Sequence, residues 1–102
     1  VTDLHGYALY FSRSLMPYPR NKPADYKVFK HVGIYAYRRD FLLKYAALTP
    51  TPLERAESLE QLRALENGFK IKVLESDFQG IGVDTPEDLA AVNELFVKLG
   101  IK

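Results

Sequence analysis

Gly82-Val83-Asp84-Thr85-Pro86-Glu87-Asp88-Leu89 is the stretch on which the reading of the fold turns. A threonine, then a proline, then an aspartate three residues after the threonine is a helix start. Thr85 fits the N-cap, Pro86 the first helical position, and Asp88 the third, where its carboxylate completes an approximate capping box. Ahead of it, Gln79-Gly80-Ile81-Gly82 reads as a glycine-bearing loop. Lys70 to Glu75 reads as a short strand with Ile71 and Val73 on one face. Behind it, Leu89, Val92, Leu95 and Phe96 point inward from one helix, and Gly100 closes it. Strand, glycine loop and capped helix make one unit of a mixed α/β chain.

Further from that stretch, Gly6 to Ser12 is aromatic-rich and alternates, with Tyr7, Leu9 and Phe11 on one face, so a strand is expected. Ser14 to Lys30 carries Pro17, Pro19 and Pro23, which excludes a regular helix or central strand and predicts a long loop. Val32 to Tyr37 is a second expected strand, with His31, Gly33, Tyr35 and Tyr37 sharing a face. Asp40 is placed to cap a helix from Phe41 to about Leu48. A second helix is expected from about Leu53 to Asn67, with Ala56, Leu59, Leu62 and Leu65 as its buried stripe and Gly68 as its stop. Three short strands make a thin sheet, marginal for a free-standing domain. The chain also opens on Val1 rather than Met, with no basic-then-apolar leader, and runs almost at once into a strand. Both features read as a segment of something longer.

Composition narrows the function classes. At 47% hydrophobic and 26% charged residues the 102-residue chain is of ordinary globular make-up, which excludes intrinsic disorder. Apolar runs are too short for a membrane span. Cys is absent, which removes disulfides, Cys-based zinc sites and cysteine nucleophiles. The formal net charge of +1 hides an asymmetry. Arg13, Arg20, Lys22, Lys27 and Lys30 face Asp25 alone in one loop, whereas Glu75, Asp77, Asp84, Glu87, Asp88 and Glu94 share their stretch with no Lys or Arg. The aromatics of the basic loop, Tyr18, Tyr26 and Phe29, match no nucleic-acid stacking motif.

Four groups of residues carry candidate chemistry. With Thr85 as the cap, Asp84 is left at the mouth of a glycine loop, where a carboxylate suits a hard cation such as Mg²⁺; the competing reading makes Asp84 itself the cap. Glu57, Glu60 and Gln61 at helical spacing offer carboxylate and amide to sugar hydroxyls, or form a plain solvent face. His31 and Tyr35, about 13 Å apart on an extended strand, leave an unfilled space over Gly33, or are packed aromatics of a sheet surface. Ser12-Arg13 at a strand end suits a carboxylate or phosphate, or a surface ion pair. No P-loop, GxGxxG, GxSxG or zincin pattern occurs.

Five runs, in order, carry a family resemblance: Gly6-Tyr7-Ala8-Leu9-Tyr10-Phe11-Ser12-Arg13, His31-Val32-Gly33-Ile34-Tyr35-Ala36-Tyr37-Arg38, Pro50-Thr51-Pro52-Leu53-Glu54, Leu59-Glu60-Gln61-Leu62-Arg63, and Gly80 to Leu89. Together they resemble the C-terminal portion of the 3-deoxy-manno-octulosonate (Kdo) cytidylyltransferases. The resemblance implies an α/β, Rossmann-like nucleotidyltransferase fold with a mixed sheet. Residues 1–102 would then be the sugar-binding and dimerisation portion, without the CTP-binding portion. It implies transfer of CMP from CTP to Kdo in the cytoplasm, for lipopolysaccharide synthesis, by a homodimer using Mg²⁺. His31, Tyr35, Glu60 and Gln61 match residues lining the Kdo pocket, Ser12 and Arg13 lie at its edge, and Asp84 matches a metal-binding aspartate. No catalytic residue beyond these ligands is implied, and neither nucleic acid nor membrane is an expected partner. The family's glycine- and basic-rich nucleotide motif and its Gln-Gly-Asp run do not occur here, so the chain by itself is expected to be inactive. The alternatives are the same chemistry on a sialic acid, and a non-catalytic binding or oligomerisation module.

Overall fold

Among the described residues four helices form where the sequence supplies a start signal or a stop, and the expected strands shrink to bridges. The computed structural model describes residues 1–22, 25–77 and 79–101. Pro23, one of the three prolines of the expected loop, lies outside the described residues, as does Lys102. The helices are α1 (Arg39–Ala46), α2 (Pro52–Glu57), α3 (Leu62–Glu66) and α4 (Pro86–Leu99). None of them is long and apolar enough to cross a membrane.

Helix α4 starts as its sequence dictates. Thr85 Oγ1 accepts from the Asp88 amide at 3.1 Å and Asp88 Oδ2 accepts from the Thr85 amide at 3.0 Å, a complete capping box. The left-handed Gly100 ends it. Helix α1 begins at Arg39, before the expected Phe41, so Asp40 is not its cap. Instead Asp40 lies in the first turn, where its charge faces the positive end of the helix dipole. The helix ends at Ala46, two residues before the expected Leu48, in the approach to Pro50.

The single helix expected from Leu53 to Asn67 is broken into α2 and α3 at Ser58, which is left-handed at φ 51°. The cause lies far away in sequence. A continuous helix would give the Glu57 and Ser58 carbonyls to the amides of Gln61 and Leu62. Arg13 takes both instead, through Nε to Glu57 at 2.6 Å and Nη2 to Ser58 at 2.9 Å, and the Leu62 amide turns to Leu59. Helix α3 then ends on Gly68 at φ 79°. The amides of Gly68 and Phe69 return to the carbonyls of Leu65 and Ala64, a Schellman motif that needs a left-handed residue at that point.

No ladder longer than a bridge forms among the described residues. Tyr7 pairs antiparallel with Lys72, and Thr2 with Ala8 around a turn at Asp3 to Gly6. The first and third expected strands thus lie side by side. The second does not pair: within Val32 to Tyr37 the backbone bond is the local one from the Ile34 amide to the Val32 carbonyl, at 2.9 Å. The mixed sheet of the sequence reading is therefore not formed among the described residues. A period-two run becomes a strand only when another backbone comes alongside it, and here none does.

The core is small. Leu62 is fully buried, Ala64 and Tyr45 nearly so. Phe41 packs edge-on to Phe69 at 5.0 Å and stacks on Tyr45 at 5.7 Å and Tyr37 at 5.9 Å. Elsewhere the molecule is open: it exposes 9031 Å², against about 5,900 Å² for a folded monomer of its mass. Its radius of gyration is 17.1 Å, against about 13 Å for a compact domain of this length. Helix α4 buries no residue and leaves Leu89, Phe96, Val97 and Leu99 exposed. Replacing Leu62 with alanine is expected to cost about 2–5 kcal/mol, as a cavity in this one close-packed spot. Loss of the α2–α3 signal in amide hydrogen exchange, with α4 unchanged, is the measurement that checks it.

Candidate functional site

Glu57, at the last position of α2, gathers the end of the first segment onto itself. Its carboxylate accepts from Ser12 Oγ at 2.7 Å, the Arg13 amide at 3.1 Å and Tyr10 Oη at 3.4 Å. These donors, the Arg13 amide foremost and then Ser12, hold the Glu57 carboxyl below its ordinary pKa. Ser12 and Arg13 were expected to offer a hydroxyl and a guanidinium to a ligand. Both are committed to α2 and its terminal carbonyls.

Phe11, one residue before, meets the ring of His31 edge-on at 5.4 Å. His31 Nε2 and Tyr35 Oη share a hydrogen bond of 2.5 Å. On a regular strand these side chains would stand well apart. Here the local turn from Val32 to Ile34 lets the two side chains meet, and the pair does not fill the space over Gly33, where an added Cβ would first meet His31 Cε1 at 4.0 Å. Burial raises the Tyr35 phenol above its ordinary pKa, with Tyr37 adding to the effect. The aromatic series continues from Tyr35 to Tyr37 at 6.2 Å and on to Tyr45 at 6.0 Å.

Tyr45 donates its hydroxyl to the Glu60 carbonyl at 2.7 Å, which fixes the turn between α2 and α3. Burial, then the nearby Glu60 charge, pushes the Tyr45 phenol up to about 12, so it stays a donor. That turn displays Glu60 and Gln61 in opposite ways. The Glu60 carboxylate is exposed, 4.0 Å from Arg63 Nη2. Gln61 is only 8% exposed, and its Nε2 is buried with no hydrogen-bond partner among the described residues. A buried amide donor left unpaired is costly, and its cost is removed by an acceptor brought to it.

Below the turn, Arg63 grips Glu54 by two bonds, Nη2 to Oε1 at 2.5 Å and Nε to Oε2 at 2.8 Å. Arg63 also reaches the Leu48 carbonyl and lies 5.2 Å from the Tyr45 ring centre. The Glu54 carboxylate takes the Thr51 amide at 3.0 Å as well, as part of the α2 capping box.

Asp84 stands apart. Thr85 and Asp88 make the cap of α4, so the Asp84 carboxylate is free of capping, as the first of its two readings required; its amide donates to Asp88 Oδ2 at 3.2 Å. Among the described residues no three His, Cys, Asp or Glu side chains converge as a metal site. The structure thus brings Ser12, Arg13, His31, Tyr35, Glu60 and Gln61 into one chain of contacts and leaves Asp84 outside it.

Similarity to known proteins gives the family of the chain. A family model described as cytidylyltransferase matches residues 1–72. This chain belongs to that family. The 3-deoxy-manno-octulosonate cytidylyltransferase of Solibacter usitatus is 58% identical to it over 94% of the chain and 38% of the relative. That of Geotalea daltonii is 59% identical over 92% of the chain and 41% of the relative. The solved structure of CMP:2-keto-3-deoxy-manno-octonic acid synthetase complexed with CTP superposes with a TM-score of 0.88 at 49% identity, over 96% of this chain and 40% of that one. The cytidylyltransferase chain therefore spans about two-fifths of the length of the relatives it matches.

Two features of this cytidylyltransferase segment escape sequence reasoning. Glu57 was grouped with Glu60 and Gln61 on one helix face, whereas it turns the other way, to Ser12 and Arg13. The Glu54–Arg63 pair was unseen, although Thr51-Pro52-Leu53-Glu54 carries the Thr-x-x-Glu pattern of a capping box and so marks where α2 starts. The pair has a consequence for pH. Hydrogen bonds from Arg63 hold Glu54 at about 2, against an ordinary 4.5. A carboxylate depressed in the folded state stabilises it above the unfolded pKa and loses that contribution as pH falls. Thermal unfolding midpoints are therefore expected to drop between about pH 4.5 and pH 2, and Glu54→Gln to flatten that slope while lowering the midpoint at neutral pH. Melting curves followed by circular dichroism across this range check both.

Proposed function

We propose that this chain is the acidic-sugar side of an enzyme that transfers CMP from CTP to Kdo, releasing pyrophosphate, in the cytoplasm and for lipopolysaccharide synthesis. The observation that carries the reading is Gln61: a nine-tenths buried side chain whose amide nitrogen has no acceptor among the described residues, beside an exposed Glu60 carboxylate held only loosely, 4.0 Å from Arg63 Nη2. Glu60 offers an acceptor to a sugar hydroxyl, and the Gln61 amide becomes a donor to a sugar oxygen once its side chain turns out of the burial that leaves it unpaired. The names of the relatives point to the same substrate.

In this reading Gln61 donates to a sugar oxygen and Glu60 accepts from a sugar hydroxyl. The His31–Tyr35 pair supplies a polar rim, its mutual hydrogen bond reorganising as the sugar arrives. Ser12 and Arg13 shape the edge rather than bind. The nucleotide sits against a portion that this chain does not supply, and the Rossmann-like mixed sheet and homodimer complete around it. Asp84 fits one requirement of a Mg²⁺ site, a hard oxygen donor free of other duty, and the further ligands come from nucleotide phosphates, water and another carboxylate. When bound, the ion would lower the charge repulsion between the sugar and the α-phosphate it attacks.

The test is a chimaera in which this chain replaces the matching segment of the Solibacter usitatus relative. With CTP, Kdo and magnesium, pyrophosphate release is expected, and Asp84→Asn is expected to slow it by at least the roughly 10–100-fold that loss of an outer-shell metal partner costs. Full activity in that variant would sink the metal role. Preference for N-acetylneuraminate over Kdo in a competition assay would move the reading to a sialic-acid enzyme, and no nucleotidyl transfer with either sugar would leave a non-catalytic module.

A further inference from the structure

We propose that Glu57 is a positioning residue: it holds the two walls of the sugar site, His31–Tyr35 on one side and Glu60–Gln61 on the other, in fixed register. This rests on the sugar-site reading above but makes a separate claim about a residue that does not touch the ligand.

The argument is one of connectivity. Around the site the contacts close into a ring. Glu57 binds Ser12, whose neighbour Phe11 packs on His31. His31 binds Tyr35, Tyr35 stacks on Tyr37, Tyr37 on Tyr45, and Tyr45 binds the backbone of Glu60. Two residues of chain, Leu59 and Ser58, return from Glu60 to Glu57. One half of this ring is aromatic stacking, which tolerates sliding. The other half is the Glu57 clip, in which the donors and acceptors are fixed in number and direction. Its carboxylate takes three donors, from Tyr10, Ser12 and Arg13, which leaves it little capacity for a ligand. The two carbonyls that follow are held by the Arg13 side chain. The left-handed turn at Ser58 that aims Glu60 and Gln61 out of helical register is thus locked from the first segment. Loss of one Glu57 acceptor frees both walls at once.

Glu57→Gln preserves size and one acceptor but turns an amide donor towards a hydroxyl or an amide that needs an acceptor. In the chimaera it is expected to raise the KM for Kdo by about tenfold, and Glu57→Ala by more, because small misplacements of oriented groups are costly. The KM for CTP and the kcat at saturating sugar are expected to stay within about twofold, the signature of altered binding on one side only. A second measurement needs no activity. In the chimaera, nuclear magnetic resonance should show the Gln61 side-chain amide and the His31 ring signals moving in Glu57→Gln. An unchanged KM for Kdo overturns the proposal, as does a rise in both KM values together with a lower melting temperature, which marks a merely structural role. If the wild-type chimaera transfers nothing, the sugar-site reading fails, and the resonance experiment still decides: shifts at His31 and Gln61 uphold the coupling, and their absence overturns it.

Discussion

The guanidinium of Arg63 meets the carboxylate of Glu54 edge to edge, with both side chains less than 15% exposed. Little water reaches either group, so neither can be left alone without leaving a poorly hydrated charge. An ion pair in that position is weak as a source of stability and strong as a constraint. It ties α3 to α2, and its remaining bonds bring in Leu48 after α1 and the amide of Thr51. Arg63 also covers the face of Tyr45, whose hydroxyl sets the Glu60 turn. The three short helices are too small to hold their own arrangement through apolar burial, with Leu62 and Ala64 as the deepest residues. Their geometry depends on this pair.

A second constraint acts at right angles to it in the sequence. Arg13 and Glu57 are far apart along the chain, and together they decide where a helix stops. The two constraints share α2: Glu54 faces Arg63 and Glu57 faces Arg13, one helical turn apart. A helix of six residues, Pro52–Glu57, thus has its start tied to the core and its end tied to the site.

What was legible in the sequence follows from the range of the causes. The α4 start was readable because every group that makes it lies within Thr85 to Asp88. The stops at Gly68 and Gly100 were readable because the left-handed conformation is a local property of glycine. Of the seven candidate residues, all but Asp84 fall along one chain of contacts. The break at Ser58 was not legible, since its cause is an arginine 45 residues away. For the same reason Glu57 was placed on the wrong face. Val32 to Tyr37 has the alternation of a strand, but alternation states only which faces a strand would have; it does not supply the neighbouring backbone. Without that neighbour His31 and Tyr35 come within hydrogen-bonding distance instead of standing at strand spacing.

The aromatic series through the site has an optical side. The protein has seven tyrosines and no tryptophan, so its near-ultraviolet absorption and emission are those of phenol rings. Along the column successive rings of Tyr35, Tyr37 and Tyr45 stand within 6.2 Å, Tyr35 hydrogen-bonded to His31 and Tyr45 donating to the Glu60 carbonyl. Rings that close couple their transitions, and phenol emission changes when the hydroxyl changes partner. Three of the seven tyrosines therefore lie in this contact series, and the candidate site carries its own reporter without any label.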